Sequence, residues 1–167
     1  MAKPACVFCK KVHGYDIDDA LQILRKTPDT LRELLDDVDL DTLSKKRKSD
    51  EWSPRELLIH LIDTEFAYGF RFRYIMAEKE PVISPFDQEL WVSTYKYGIQ
   101  DATQLIRGFT PLRRVNLELL QTVDRKLFDK KAKHPEYGII TVAQMIPHLA
   151  GHDVNHLQQI RERVPAV

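Results

Sequence analysis

The sequence predicts an all-α fold, a four-helix bundle, from three features of the 167-residue chain. Four long stretches place apolar residues at spacings of three and four, the pattern of helices with one buried face. Capping boxes open two of these stretches, and the connections between them are modest in length. The alternation at every second residue that is typical of strands is absent from the sequence. Four amphipathic helices of this kind bury their apolar faces against one another.

The first helix is predicted to begin after Asp16, whose side chain can cap it. Thr27 would cap a continuation that has Pro28 at its first position, so we expect a bent helix or two short ones. Residues 36–50 follow as a polar connection. Its basic run, residues 45–48, is short and has acidic neighbours, which favours a solvated loop over a nucleic-acid patch.

The remaining helices are predicted in order along the chain. A capping box at Ser53 starts the second, which should reach about residue 76. A short aromatic helix over residues 86–98 is a candidate cover for a pocket, with simple packing of its rings as the alternative. The third long helix covers residues 101–127. After a connection at 129–140, the fourth starts at a second capping box and runs to about residue 163. Prolines that could bend the last two helices are Pro111 and Pro147.

Composition is that of an ordinary globular protein, with 43% hydrophobic and 30% charged residues. Lys plus Arg equals Asp plus Glu, 25 of each, which gives no indication of nucleic-acid or membrane-surface binding. The sequence has no apolar run long enough for a bilayer span and no signal-peptide pattern, so we expect a cytoplasmic protein. Residues 15–167 are predicted to form one domain.

Residues 1–14 are predicted to be a flexible N-terminal segment. Cys6, Cys9 and His13 lie there, and the Cys-x-x-Cys spacing is shared by zinc knuckles and redox motifs. A second cysteine pair is missing from the sequence, and the βαβ pattern of a redox domain does not follow. Two reduced thiols on a flexible terminus are therefore the favoured interpretation.

The most informative residues are three histidines in the fourth predicted helix, His148, His152 and His156, which recur every four residues. At about 100° per residue, His156 lies inside the apolar arc of this helix and His152 lies at its edge. His148 points away from the core and is the expected bystander. Two imidazoles turned towards a core need partners for their ring nitrogens, and a metal ion is one such partner.

The second predicted helix offers a third imidazole, His60, beside its apolar stripe. Asp63 and Asp153 are candidates for orienting the ligand rings through hydrogen bonds. Glu65 lies on the apolar face, so it is either paired with an arginine, which we favour, or a general base. His134, in the last connection, could also reach a site. If the second and fourth helices are antiparallel, His60, His152 and His156 meet at one level of the bundle.

Three imidazoles with an open fourth position are typical of catalytic metal sites, whereas structural zinc sites are closed by four protein ligands. Nitrogen ligands suit zinc, nickel, iron or copper. An open position lets the ion activate a water or a thiol as a nucleophile near neutral pH.

Three motifs of the chain resemble those of the DinB-like (DinB/YfiT) metalloenzyme superfamily over about residues 15 to 163. They are Trp52-Ser53-Pro54-x-Glu56-Leu57-Leu58-x-His60-Leu61-x-Asp63-x-Glu65, Phe86-Asp87-Gln88-Glu89-x-Trp91 and Gly151-His152-Asp153-x-Asn155-His156-Leu157-x-Gln159-Ile160. The resemblance implies an up-down-down-up four-helix bundle, often a homodimer, with metal ligands at His60, His152 and His156. Members include thiol S-transferases, thiol-dependent isomerases and proteins described as hydrolases.

The leading hypothesis is a metal-dependent enzyme that activates a low-molecular-weight thiol for transfer, or water for hydrolysis, of a small-molecule substrate. Zinc or nickel is the expected ion, with iron as a further candidate. The alternative is a non-enzymatic metal-binding bundle in which the ion ties helices together. A bundle with core histidines and no metal is a third hypothesis.

Overall fold

The four-helix bundle is present in the computed structural model, which describes residues 14–35, 37–95 and 102–164. The helices are α1 (Ile17–Leu35), α2 (Leu40–Ser44), α3 (Pro54–Ala77), α4 (Gln88–Tyr95), α5 (Ala102–Thr122) and α6 (Val142–Arg161). A 3-10 turn (Arg125–Asp129) and a hairpin of β1 (Lys131–His134) and β2 (Gly138–Thr141) lie between α5 and α6. Of the described helices, none is long and apolar enough to cross a bilayer.

Hydrogen bonds and ring contacts between helices fix the directions of the four long helices. Between α1 and α5, Leu24 contacts Arg113 and Arg32 contacts Thr110. Between α3 and α5, Glu65 contacts Arg113 and Arg73 contacts Asn116. Between α3 and α6, His60 contacts His152 and Tyr68 contacts His148. Along α1 and α5, and along α3 and α6, the numbers of the paired residues change in opposite directions, so the helices of each pair are antiparallel. Along α3 and α5 they increase together, so these two helices are parallel. The order is therefore up, down, down, up.

The core is divided by a layer of polar side chains. One apolar cluster joins the N-terminal half of α1 to the C-terminal parts of α3 and α5 and to the hairpin. The other joins the C-terminal half of α1 to the N-terminal parts of α3 and α5. Between them lie buried polar residues from all four long helices: Thr27, His60, Glu65, Arg113, Asn116 and Asp153. The histidine site and its supporting ion pairs occupy this layer.

The predicted capping box at the start of α3 is confirmed. The Glu56 backbone N–H donates to Ser53 Oγ at 3.2 Å, and the Ser53 N–H donates to Glu56 Oε2 at 2.7 Å. Pro54 occupies the first helical position, where its missing N–H costs nothing. The box fixes where α3 begins and therefore where His60 lies along it.

Replacing Ser53 by alanine is expected to lower the free energy of unfolding by about 1 kcal/mol, because the N–H of Glu56 loses its acceptor. Urea denaturation measures this change. Ser93→Ala is the matched control, since Ser93 in α4 is exposed and only donates to the Leu90 carbonyl; it should change stability by less than about 0.5 kcal/mol. Equal effects of the two substitutions would contradict a capping role.

Thr27 does not cap a second helix, which corrects the prediction for this residue. Helix α1 continues through Pro28 to Leu35. The Thr27 hydroxyl lies 3.3 Å from the Ile23 carbonyl one turn earlier and donates to Asp153 Oδ2 at 2.9 Å. A long-range polar contact therefore outweighs the local capping preference.

Three short elements were absent from the sequence prediction. The helix predicted over residues 101–127 ends at Thr122, and the 3-10 turn (Arg125–Asp129) follows it. The polar connection after α1 contains α2, which Asp39 caps through the backbone N–H of Thr42. The connection before α6 contains the β1–β2 hairpin, which turns through Gly138 at φ 71°. Each of these strands has four residues, too few to show a clear period.

Candidate metal centre

His60, His152 and His156 converge, as predicted, where α3 meets α6. The metal-binding atoms that they can offer all lie within 4.8 Å of one another. Nε2 of His60 lies 2.9 Å from Nε2 of His152. The His60 side chain is buried, with 2% exposed, while the two α6 histidines are half-buried. Within the described residues, this is the one cluster of potential ligands that could hold an ion.

The donor set fits a transition-metal ion. Tetrahedral zinc with bonds of about 2.0–2.1 Å to nitrogen separates its ligand atoms by about 3.3 Å, which small ring movements would give here. Nδ1 of His156 lies 2.8 Å from Oε1 of Gln159, an acceptor. The amide therefore holds the ring proton on Nδ1 and leaves the lone pair of Nε2 for a metal.

Two unpartnered buried atoms beside the cluster also fit a bound ion. Nδ1 of His152 and Oδ1 of Asp153 are both buried without a hydrogen-bond partner in the described structure, and they lie 3.6 Å apart. A small rotation of the imidazole brings them within hydrogen-bonding distance. Asp153 would then hold the proton of His152 on Nδ1 and direct Nε2 towards the ion, the arrangement that is usual for metal-ligating histidines. This supports the role predicted for Asp153.

Asp153 is held ionised by Arg113. Burial disfavours its charged form, but the guanidinium, which donates from Nη1 to Oδ2 at 2.7 Å, outweighs burial, and the pKa of Asp153 is lowered to about 2. Arg113 also donates from Nε to Glu65 Oε2 at 2.7 Å. Burial opposes the charge of Arg113 too, but Asp153 and Glu65 raise its pKa overall. The preferred interpretation of Glu65, a carboxylate paired with an arginine, is confirmed.

His60 and His156 are neutral at neutral pH. Burial, together with the neighbouring histidines, lowers the pKa of His60 to about 2 and that of His156 to about 4. Neutral imidazole is the form that binds a metal, so protons do not compete with an ion for His60 and His156 near pH 7.

A tryptophan shields the cluster on one side. The ring centroid of Trp52 lies 4.7 Å from that of His60 and 6.4 Å from that of His156. Its indole N–H donates to Glu89 Oε2 at 3.2 Å, which attaches the start of α4 to the site. Trp52 therefore covers one side of the histidine rings and holds the start of α4 next to them.

The three histidines open on a cavity of about 510 Å³, within the range of small-molecule sites. Phe86 and the residues up to Glu89 line it, as expected for a pocket cover. The packing alternative holds as well, since Trp91 contacts Phe86 with ring centroids 4.8 Å apart. Some predictions fall outside the described residues. They concern Tyr97 and the end of the predicted aromatic helix at Gly98, and the N-terminal Cys6, Cys9 and His13.

The other predicted residues take different positions. His148 lines the cavity but is not part of the cluster, in agreement with its prediction as a bystander. His134, which was predicted to be able to reach the site, also lines the cavity and is 4% exposed. Asp63 is half-buried and is not part of the cavity lining, so its role in orienting His60 stays a prediction.

Sequence reasoning missed Arg71, a buried residue of the cavity wall. It follows His60 by eleven residues, about three helical turns, and so lies on the same face of α3. The spacing from His60 was the signal that could have identified it.

Comparisons with known proteins agree with the fold and the site. The family model described as the DinB superfamily matches residues 23–160. A protein of Oceanobacillus iheyensis named "putative metal-dependent hydrolase" is 27% identical over 146 residues, which are 86% of this chain and 83% of that protein. A Bacillus mycoides protein with the same description is 26% identical over 151 residues, 89% of this chain and 87% of its own.

The solved structure of YfiT from Bacillus subtilis, described as "a probable metal-dependent hydrolase with an unusual four-helix bundle topology", superposes with a TM-score of 0.78. It is 22% identical in sequence, and the match covers 88% of this chain and 86% of YfiT. That likeness confirms the fold class. Because the family model spans most of the described helices, this chain belongs to the DinB superfamily.

Proposed function

We propose that this protein is a metal-dependent hydrolase whose ion is held by His60, His152 and His156. The observation that carries the proposal is the convergence of these three imidazoles at the wall of a cavity of about 510 Å³. The names of the similar Oceanobacillus and Bacillus proteins support the same chemistry. Zinc and nickel fit the nitrogen donors best, and iron is a further candidate.

The number of ligands favours a catalytic over a structural ion. In the described part of the chain, the cluster holds three potential ligands and no fourth His, Cys, Asp or Glu. A divalent ion with an open position lowers the pKa of a water or thiol ligand towards neutrality and so supplies a nucleophile. A structural ion would be closed by four protein ligands, which argues against the non-enzymatic alternative.

Residues around the cluster position it and keep it dry. Gln159 and Asp153 direct the rings of His156 and His152 through their Nδ1 atoms. Trp52 and Phe86 limit the access of bulk water, which strengthens electrostatic interactions with a bound substrate. The substrate enters the cavity with its reactive bond next to the histidines.

Removal of the metal tests the proposal. Dialysis against a chelator should abolish hydrolysis of a panel of nitrophenyl esters and lower the thermal midpoint, because an ion that binds only the folded state stabilises it. One equivalent of zinc or nickel should restore both. Elemental analysis of the purified protein gives the stoichiometry, and hydrolysis that persists after complete demetallation would overturn the proposal.

Thiol transfer is the second candidate, since the open position that accepts water accepts a thiolate equally well. The cavity of about 510 Å³ has room for a small thiol beside a substrate. Product formation that requires added dithiothreitol or cysteine would identify a transferase, and formation independent of thiol would identify a hydrolase. The homodimer and the cytoplasmic location stay predictions.

A further inference from the structure

Arg71 is a buried cation without a carboxylate partner. It is 9% exposed, and no carboxylate oxygen of the described residues lies within the 4.0 Å of an ion pair from it. Its Nη2 donates to the Ser84 carbonyl at 2.8 Å. Its guanidinium carbon lies 5.7 Å from the ring centroid of Tyr68 and 5.5 Å from that of Phe86. The backbone and two rings hold the guanidinium in place, and no described carboxylate forms an ion pair with it.

The unpaired charge faces the cavity that contains the histidine cluster. Burial of a cation is costly unless an anion or several hydrogen bonds compensate it, and burial lowers the pKa of Arg71. Other carboxylates on the cavity wall are engaged elsewhere: Asp87 accepts from the Leu90 N–H, and Glu89 accepts from Trp52. Glu136 also lines the cavity and attracts Arg71 electrostatically, but it forms no ion pair with it. Among the described residues, no carboxylate pairs with Arg71, which leaves room for an anionic ligand.

His134 adds a second donor on the same wall. Its Nδ1 accepts from the Glu136 backbone N–H at 3.2 Å, which leaves the ring proton on Nε2. Burial, and then the nearby charge of Arg71, lowers the pKa of His134, so the ring is neutral at pH 7. A neutral imidazole N–H beside a guanidinium fork matches the oxygens of a carboxylate or phosphate.

The anionic site and the histidine cluster lie at different positions along one helix. Thr64 and Tyr68 lie between His60 and Arg71 on the same face of α3, and all four residues line the cavity. Eleven residues correspond to about 16 Å along the helix axis. A ligand that reaches both ends is therefore elongated.

We propose that Arg71, assisted by His134, binds the anionic group of the substrate, a carboxylate or a phosphate, while the reactive bond lies at the histidine cluster. The placement of the reactive bond at the histidine cluster rests on the proposed function, whereas the anionic site does not. It assigns the substrate to the class of elongated small molecules with one anionic end.

A pair of nearly isosteric probes tests the site. Hexanoate and hexanamide differ in charge, so NMR titration of the metal-loaded protein should show hexanoate binding about tenfold more tightly, with shifts at the His134 ring. Pentyl phosphate serves as the other anion, and whichever anion binds more tightly identifies the group. Equal binding of hexanamide and both anions would overturn the proposal. So would a preference that disappears when a chelator removes the ion, because the carboxylate would then be a metal ligand.

Variants of Arg71 test whether its guanidinium causes the preference for the anionic probe. Arg71→Gln should remove the tenfold preference, and Arg71→Lys should retain part of it, since the charge remains and the fork is lost. Arg114→Gln is the control, because Arg114 on α5 is 73% exposed and should bind like wild type. Thermal unfolding checks that each variant folds. If folded Arg71→Gln still prefers hexanoate to hexanamide, Arg71 is not the anion-binding residue. If that variant does not fold, the comparison of probes on the wild-type protein remains the test.

Failures of the two proposals are distinguishable. Binding of the anions without any effect of metal on hydrolysis would refute the proposed function alone. Metal-dependent hydrolysis without discrimination between hexanoate and hexanamide would refute the anionic site alone.

Discussion

Replacing His60 by alanine is expected to weaken zinc or nickel binding by more than about 100-fold and to abolish hydrolysis. Loss of a residue that merely orients a ligand costs about 10–100-fold in affinity, and His60 is proposed as a direct ligand. It is the one contribution of α3 to the cluster, so the remaining pair would come from α6 alone. A pair from one helix leaves the ion open to water on more sides.

Metal-dependent stabilisation distinguishes this loss from misfolding. At an ion concentration about 1,000 times the dissociation constant, binding stabilises the folded wild type by about 4 kcal/mol. At the same ion concentration, His60→Ala with about 100-fold weaker binding would gain at most about 1.4 kcal/mol, so its thermal midpoint should respond much less to the ion. His148→Ala is the matched control, because His148 lies on α6 and lines the same cavity but is outside the cluster; it should retain the full metal response. Unchanged zinc affinity in His60→Ala would refute the assignment of ligands.

The histidine cluster could be predicted because each part of the signal was local. His152 and His156 lie one turn apart on α6, and their position relative to the apolar arc follows from the helical period. His60 flanks the apolar stripe of α3. The antiparallel contact of these two helices was the single long-range assumption, and the structure confirms it.

The polar layer of the core could not be predicted in the same way. On α5 the buried face contains Arg113 and Asn116, whereas the apolar Val115 is 49% exposed. The apolar spacing of three and four residues along this helix predicts a buried Val115, and a buried arginine is costly without partners. Those partners, Glu65 and Asp153, are 48 and 40 residues distant in sequence. Only the folded chain brings the three charges together.

Replacing Arg113 by methionine is expected to lower the free energy of unfolding by about 3–5 kcal/mol, the cost of leaving buried carboxylates uncompensated. Arg113 is 1% exposed and connects all four long helices, since it contacts Glu65 on α3, Asp153 on α6 and the Leu24 carbonyl on α1. Methionine fills a similar volume, so the loss reports mainly on charge. Domains of this kind are stable by about 5–15 kcal/mol, so urea denaturation should show a large decrease in the midpoint.

A neighbouring arginine supplies the control for Arg113. Arg114→Met removes an exposed ion pair with Glu118, whose atoms lie 3.9 Å apart, and should cost less than about 1 kcal/mol. Adding Glu65→Gln and Asp153→Asn to Arg113→Met should recover part of the stability, because the unpaired charges are gone. The triple variant should still bind metal more weakly than wild type, since Asp153 no longer orients His152 as a carboxylate. If Arg113→Met costs no more than Arg114→Met, the ion pairs do not hold the helices together, and the positioning of His152 must be explained by apolar packing alone.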